Sequence, residues 1–323
     1  MLFYSNLEEI IFHRHEMVQS DELIILSGYV GPNPILRLQT LPFNSRIIYG
    51  MYGSDGIRRT LHNSLVSINN AQTNIQIFYS RTPVHSKCYI WKYENRIVHA
   101  LVGSANFSSN GLSTPYRETL AETTVDTFIP LNDYVETILR NSIICTDAVV
   151  TEGRRNAALP EDRETDYCRM TLLDPRTNEM QNANGLNWGQ NPDNHTNPND
   201  ANIPIRAEYI RLYPELFPPK QELPRLSEAG GRAQRHNDTI EIIWDDGATM
   251  EGLLEGNYPV NGVIYPKQIS SFPEKRHLGS YIRQRIGVAD GARVTRRHLE
   301  RYGRTHIDVS LQTEGVYFFN FSV

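Results

Sequence analysis

The stretch HSKCYIWKYENRIVHALVGSAN, residues 85–106, sets two short apolar runs either side of a polar pair. His85–Trp91 and Arg96–Val102 are rich in β-branched and aromatic residues, and Glu94-Asn95 between them is a turn signal, so the segment reads as two consecutive strands. Residues i and i+2 of a strand face the same way. His85 and Lys87 therefore emerge together, one imidazole beside one ammonium. The second strand ends at Gly103-Ser104-Ala105-Asn106, where a missing Cβ lets an anion approach the backbone and Asn106 offers an amide donor. Such a pocket suits a phosphate. Imidazole attacks phosphorus as a nucleophile, while Lys87 and Asn106 stabilise charge on the remaining oxygens.

Outward from this segment the first part of the chain reads as α/β. ELIILSGYV at 22–30 is an apolar run closed by Gly28, Arg46–Tyr49 is another closed by Gly50, and Ile75–Tyr79 is a third. Helical spacing brings Ile57, Leu61, Leu65 and Ile68 onto one face, and a helix follows Pro130 over 131–140. Half the residues of TEGRRNAALPEDRETD, 151–166, are charged, which marks a linker. The division is then a first domain at 1–150, the linker at 151–166 and a second domain at 167–323. After a short run at Met170–Leu173, the Asn, Gly and Pro-rich stretch 181–202 is too polar for a strand or helix and reads as a long, functional loop. Strand signals at Ile240–Trp244, Thr249–Leu254 and Val316–Val323 follow, with helical spacing only around 278–286. This second region is mainly β, of sandwich or barrel type.

Composition bounds the function. A chain of 323 residues with 39% hydrophobic and 21% charged residues is long enough for two cores. Its apolar runs fall far short of a membrane span, and MLFYSNLEEI has no basic n-region or cleavage site, so the expected location is the cytoplasm. Cys88, Cys145 and Cys168 form no CxxC pair, which leaves no disulfide framework and no thiolate zinc site. His13-Arg14-His15-Glu16 lacks the HExxH spacing and reads as a surface helix end rather than a metal site. A net charge of −5 excludes an indiscriminate polycation, yet Lys267 to Arg304 holds ten Lys and Arg against three Asp and Glu. That stretch faces either a polyanion or solvent.

HxK followed by GSxN at the end of the next strand is similar to the signature of the phospholipase D superfamily. Lys92 and Tyr93 stand where an Asp often follows the Lys, so Glu118 in YRETL is the candidate carboxylate for orienting the imidazole. The motif occurs once. The resemblance then implies a two-fold homodimer in which each subunit supplies a His85, one attacking and one protonating the leaving oxygen, with no metal required. GLNWGQ at 185–190, IPI at 203–205, DDGATMEGLL at 245–254 and LGSYIRQRIGVADGARVTRRHLERYGR at 278–304 resemble a B3-like DNA-recognition domain. SGYVGP at 27–32 through GSANFS at 103–108 resembles the nuclease half of the same enzymes. Together the chain resembles bacterial restriction endonucleases with an α/β N-terminal phospholipase D-like nuclease domain and a mainly-β C-terminal B3-like pseudobarrel.

That family implies a pseudobarrel gripping the major groove of double-stranded DNA with two arms, here Asn187 to about Asn197 and Glu255 to about Ser271. Asn187, Gln190, Asn191 and Asn194 suit adenine or cytosine edges, Asn257, Tyr258 and Asn261 lie on the second arm, and Lys267 and Gln268 suit guanine or phosphate. Asn191 stands where an arginine is common in the family. Trp188 reads as core filling, and Tyr281 and Ile282 share a helix face with Leu278 and Ile286, which points Arg283 and Arg285 outward for phosphate contacts or salt bridges. The expected catalytic set is His85, Lys87, Asn106, Glu118 and Ser104. The implied activity is site-specific, metal-independent DNA cleavage through a phosphohistidine. The alternative is a non-specific or lipid phosphodiesterase, although no basic amphipathic stretch suggests an interfacial surface. An inactive binding module is disfavoured by the presence of His85, Lys87 and Asn106. Some relatives work with a separate helicase-like NTPase; without GxxxxGK[ST] here, any use of ATP belongs to such a partner.

Overall fold

A computed structural model of the chain describes residues 1–114, 116–150, 165–191, 197–221 and 237–323. Residues 151–164 of the expected linker and Asn194 of the expected first arm lie outside these. The described residues form two compact units, one from the N-terminal half together with Gln312–Val316 and one from the C-terminal half.

The first unit has strands β1 (Leu2–Phe3), β2 (Glu22–Ser27), β3 (Asn44–Tyr49), β4 (Ile75–Ser80), β5 (Lys87–Tyr93), β6 (Arg96–Gly103), β7 (Leu120–Glu122) and β8 (Ser142–Ile144). They make one mixed sheet in the order β1-β7-β6-β5-β2-β3-β4-β8. β2, β3 and β4 are parallel, and crossover helices join them: α2 (Pro32–Arg37) and, beyond the short α3 (Tyr52–Asp55), α4 (Arg59–Ala71). Leu23, Ile24, Ile25 and Leu26 are all buried, as a strand covered on both faces requires. α4 buries Leu61, Leu65 and Ile68, and the unit also holds the short helices α1 (Leu7–His13) and α5 (Ser109–Ser113). β5 and β6 form the expected hairpin, and Glu94 (φ 50°) and Asn95 (φ 62°) are both left-handed, the conformation of a two-residue turn that matches strand twist. The last long helix, α6 (Phe128–Arg140), begins before Pro130 rather than after it, because a proline in the first helical turn forfeits no hydrogen bond. Its Val135 and Ile138 pack with Ile24, Leu26, Ile48, Ile90 and Ala100.

The second unit has strands β9 (Cys168–Thr171), β10 (Ile203–Pro204), β11 (Asp238–Trp244), β12 (Thr249–Glu255), β15 (Gln268–Ser271), β16 (His306–Thr313) and β17 (Val316–Asn320) in one sheet, with β13 (Tyr258–Val260) and β14 (Val263–Tyr265) as a separate hairpin. The order β10-β15-β12-β11-β17-β16-β9 surrounds a core that includes Trp244, Phe217, Phe319, Leu278 and Ile282. Besides α8 (Arg276–Arg285) there are two helices the apolar pattern does not announce, α7 (Ala207–Leu212) and α9 (Arg296–Tyr302). Both are too short for a 3.6-residue period to register. Part of the supposedly unstructured loop, Gly185–Gln190, is a 3₁₀ turn. No helix among the described residues is long and apolar enough to cross a membrane.

Candidate active site

β5 runs antiparallel to both β2 and β6, so its beginning lies beside their ends: Cys88 pairs with Leu26, and Lys87 with Gly103. The segments Gly28-Tyr29, His85–Lys87 and Gly103–Asn106 thereby meet at one edge of the sheet. His85 itself precedes β5 rather than lying in it. It reaches the site because Gly28 makes room, since a Cβ there would lie 3.0 Å from His85 Cδ2 and 3.5 Å from Asn106 Oδ1. Gly28 is the shared floor of the two side chains.

Lys87 Nζ lies 3.0 Å from His85 Nδ1 and 3.2 Å from Nε2, and donates to the His85 carbonyl at 2.7 Å. The imidazole is exposed while Lys87 is only 5% exposed. Burial lowers the lysine pKa from its usual value, and the charge of Glu118 opposes that fall. Asn106, 8% exposed, accepts from the Tyr29 amide at 3.1 Å and faces Ser27 Oγ at 3.5 Å through Oδ1, so its carbonyl prong is committed and its amide prong is the donor. One exposed imidazole, one buried cation and one oriented amide converge here.

Two further expected residues, Ser104 and Glu118, lie close by and have contacts of their own. Ser104 is exposed, and its Oγ accepts from the Thr119 amide at 3.1 Å while its own amide donates to the Thr119 carbonyl at 3.0 Å. A Cβ on Gly103 would collide with that carbonyl oxygen. The missing Cβ of Gly103 thus admits the protein's own backbone, and the Ser104–Thr119 bonds tie the end of β6 to the start of β7. Glu118 is half-buried and acts on Lys87 through its charge, whereas the ring that meets the imidazole is Tyr29, with centroids 5.8 Å apart and planes at 77°. The Tyr29 hydroxyl donates to Asp55 Oδ2 at 2.6 Å. Neither Tyr29 nor Asp55 stands out from spacing alone, yet each follows one of two adjacent parallel strands, and loops at the ends of such strands are where sites gather.

In the second unit several of the expected DNA-contacting side chains are hydrogen-bonded to the protein's own backbone. Asn187 is 1% exposed, donates to the carbonyls of Gln181 (3.0 Å) and Val294 (2.8 Å), and accepts from the Val294 amide (2.8 Å). Its amide is spent on holding the 3₁₀ turn in place. Gln190 Nε2 donates to the carbonyls of Pro198 and Gly291. Arg283 does not point outward; it is 0% exposed and donates to the carbonyls of Leu186, Gly279 and Ala292. Arg285 makes a bidentate pair with Asp245, both contacts 2.7 Å, and also meets Tyr281 and Tyr302. Trp188 is half-buried beneath Lys275 Nζ, 4.7 Å from the ring centroid, rather than filling the core. On the second arm Asn257, Asn261 and Lys267 are exposed and Tyr258 half-buried. Asn261 (φ 50°) and Gly262 (φ 81°) form the turn of the β13–β14 hairpin, and Gln268 Nε2 donates to Glu255 at 2.7 Å. Asn191 is half-buried at the end of the 3₁₀ turn. Arg293, Arg297 and Arg301 are exposed.

Residues 5–152 match the NgoFVII restriction endonuclease N-terminal PLD domain, and residues 164–313 match the NgoFVII C-terminal B3-like DNA-binding domain. The chain belongs to the NgoFVII restriction endonuclease family. Its first unit is the family's phospholipase D-like nuclease domain and its second the B3-like pseudobarrel. Among solved structures, NucT from Helicobacter pylori is 17% identical, with a TM-score of 0.33, 45% of this chain covered and 97% of that one. Polyphosphate kinase from Porphyromonas gingivalis is 14% identical, with a TM-score of 0.30, 47% of this chain covered and 24% of that one. No curated protein matches the chain. Among the described residues of this NgoFVII-family chain, no group of three or more His, Cys, Asp or Glu side chains is placed to hold a metal ion.

Proposed function

We propose that this restriction endonuclease is site-specific and type II-like, and cleaves double-stranded DNA without a metal through a phosphohistidine formed on His85. The observation that carries the reading is the meeting of the exposed His85 imidazole, buried Lys87 ammonium and Asn106 amide around Gly28. In the first step a ring nitrogen of His85 attacks phosphorus, a P–N bond forms, and the P–O bond to the leaving sugar oxygen breaks. That oxygen takes a proton from the imidazolium of the second subunit's His85. Water then gives a proton back to that imidazole and attacks phosphorus, and the P–N bond breaks to regenerate free His85. Lys87 and Asn106 hold the non-bridging oxygens throughout. Because one HxK supplies one imidazole, the working enzyme is a homodimer. Any dependence on ATP resides in a separate helicase-like NTPase, and the enzyme acts in the bacterial cytoplasm.

Cleavage of plasmid and genomic DNA in excess EDTA, with phosphatidylcholine hydrolysis assayed alongside, tests this reading. Discrete DNA fragments in EDTA and intact lipid are the expected result. A strict metal requirement, an unspecific smear or lipid hydrolysis would each overturn it.

Specificity belongs to the second arm in this account, because Asn257, Asn261 and Lys267 are exposed where Asn187 and Arg283 are committed to backbone carbonyls. Asn261→Ala and Lys267→Ala should weaken binding to the preferred duplex by roughly 1–3 kcal/mol per lost base contact and spare binding to random duplex. Arg297→Ala should weaken both equally and reduce the salt slope by about one, as loss of a phosphate contact does. Gel shifts at several salt concentrations distinguish the two patterns.

A further inference from the structure

We infer that Tyr29 and Asp55 are a positioning pair that sets the His85 imidazole for attack; this deepens the phosphohistidine reading and rests on it. β2 and β3 are parallel neighbours with Ser27 opposite Tyr49, so the loops that leave their ends run side by side. Tyr29 lies on the first and Asp55, at the end of α3, on the second. The 2.6 Å bond from the phenol to Asp55 Oδ2 is short and charge-assisted, and Asp55 Oδ1 accepts from Ser54 Oγ at 2.7 Å. The loop carrying Asp55 is itself anchored, since the Tyr49 hydroxyl donates to the Gly56 carbonyl at 3.1 Å. From Asp55 to the imidazole the support is continuous.

Tyr29 touches both catalytic groups that need orientation. Its amide fixes the carbonyl prong of Asn106, and its ring stands nearly perpendicular to the His85 ring. An exposed imidazole is free to change rotamer unless neighbours confine it, and in-line attack requires one orientation. Gly28 lies against the ring at Cδ2, and Lys87 Nζ lies 3.0 Å and 3.2 Å from the two ring nitrogens, which leaves the ring face to Tyr29. The tethered Tyr29 ring is the rigid stop. Burial, with help from Asp55, raises the phenol pKa to about 12, so the tether stays protonated wherever imidazole acts as a nucleophile.

Hydrolysis of bis(4-nitrophenyl) phosphate by the full chain tests the pair without a recognition sequence, and its leaving group needs no general acid. Tyr29→Leu should lower kcat by about 10²-fold, the scale of a misplaced reacting group, with KM unchanged. Asp55→Ala should lower kcat in the same way, and Asp55→Asn should restore it, because an amide oxygen still accepts from the phenol. Thermal melts and duplex binding by the same variants report whether they fold. Unchanged kcat in folded Tyr29→Leu and Asp55→Ala variants would overturn the inference, as would an Asp55→Asn variant no better than Asp55→Ala. An active Tyr29→Leu beside an inactive His85→Ala removes only the pair's role; a fully active His85→Ala removes the phosphohistidine reading itself.

Discussion

His85→Ala should lower DNA cleavage by about 10⁴-fold or more, the scale on which loss of a covalent nucleophile acts, and leave specific DNA binding nearly intact. The imidazole is exposed, so its removal opens no core cavity, and buried Lys87 keeps its bond to the backbone carbonyl of residue 85. The B3-like DNA-binding unit has its own sheet and core. Single-turnover cleavage beside a gel shift reads both quantities. Substantial cleavage by the variant would show that the bond breaks by another route.

Lys87→Met should cost about 10²–10³ in kcat, because it removes a preorganised charge-stabilising donor. Lys87 is buried, with Nζ set between the His85 ring and the His85 carbonyl. Lys87→Arg is expected to rescue little: a planar guanidinium is larger than an ammonium and presents its donors in a fixed fork. A variant retaining full kcat in steady-state assays would mean that the phosphate is held elsewhere.

What spacing revealed of this fold was local. The hairpin Lys87–Gly103, the apolar face of α4 and the pairing of His85 with Lys87 all depend on residues a few positions apart. The polar residues were harder to place, since their partners come from distant parts of the chain. Asn187 and Val294 exchange hydrogen bonds, and Arg283 binds the carbonyl of Leu186. Pattern alone does not separate an asparagine that pins a loop from one that reads a base. Gly103 is the same case, because the carbonyl its missing Cβ admits belongs to Thr119, which comes later in the chain, just before β7. Tyr29 and Asp55 were hidden for the related reason that adjacency of β2 and β3 is a property of the sheet order. The nuclease domain and the B3-like domain were legible through resemblance, and resemblance locates segments better than it assigns single side chains.

The stereochemical course at phosphorus tests the central claim most directly. A duplex with a chiral phosphorothioate of known configuration at the scissile position, cleaved in ¹⁸O-labelled water, reports the number of displacements. Attack by His85 followed by attack of water is two inversions, so net retention of configuration is the predicted result. Net inversion would mean that water attacks the DNA directly, and would contradict the phosphohistidine mechanism.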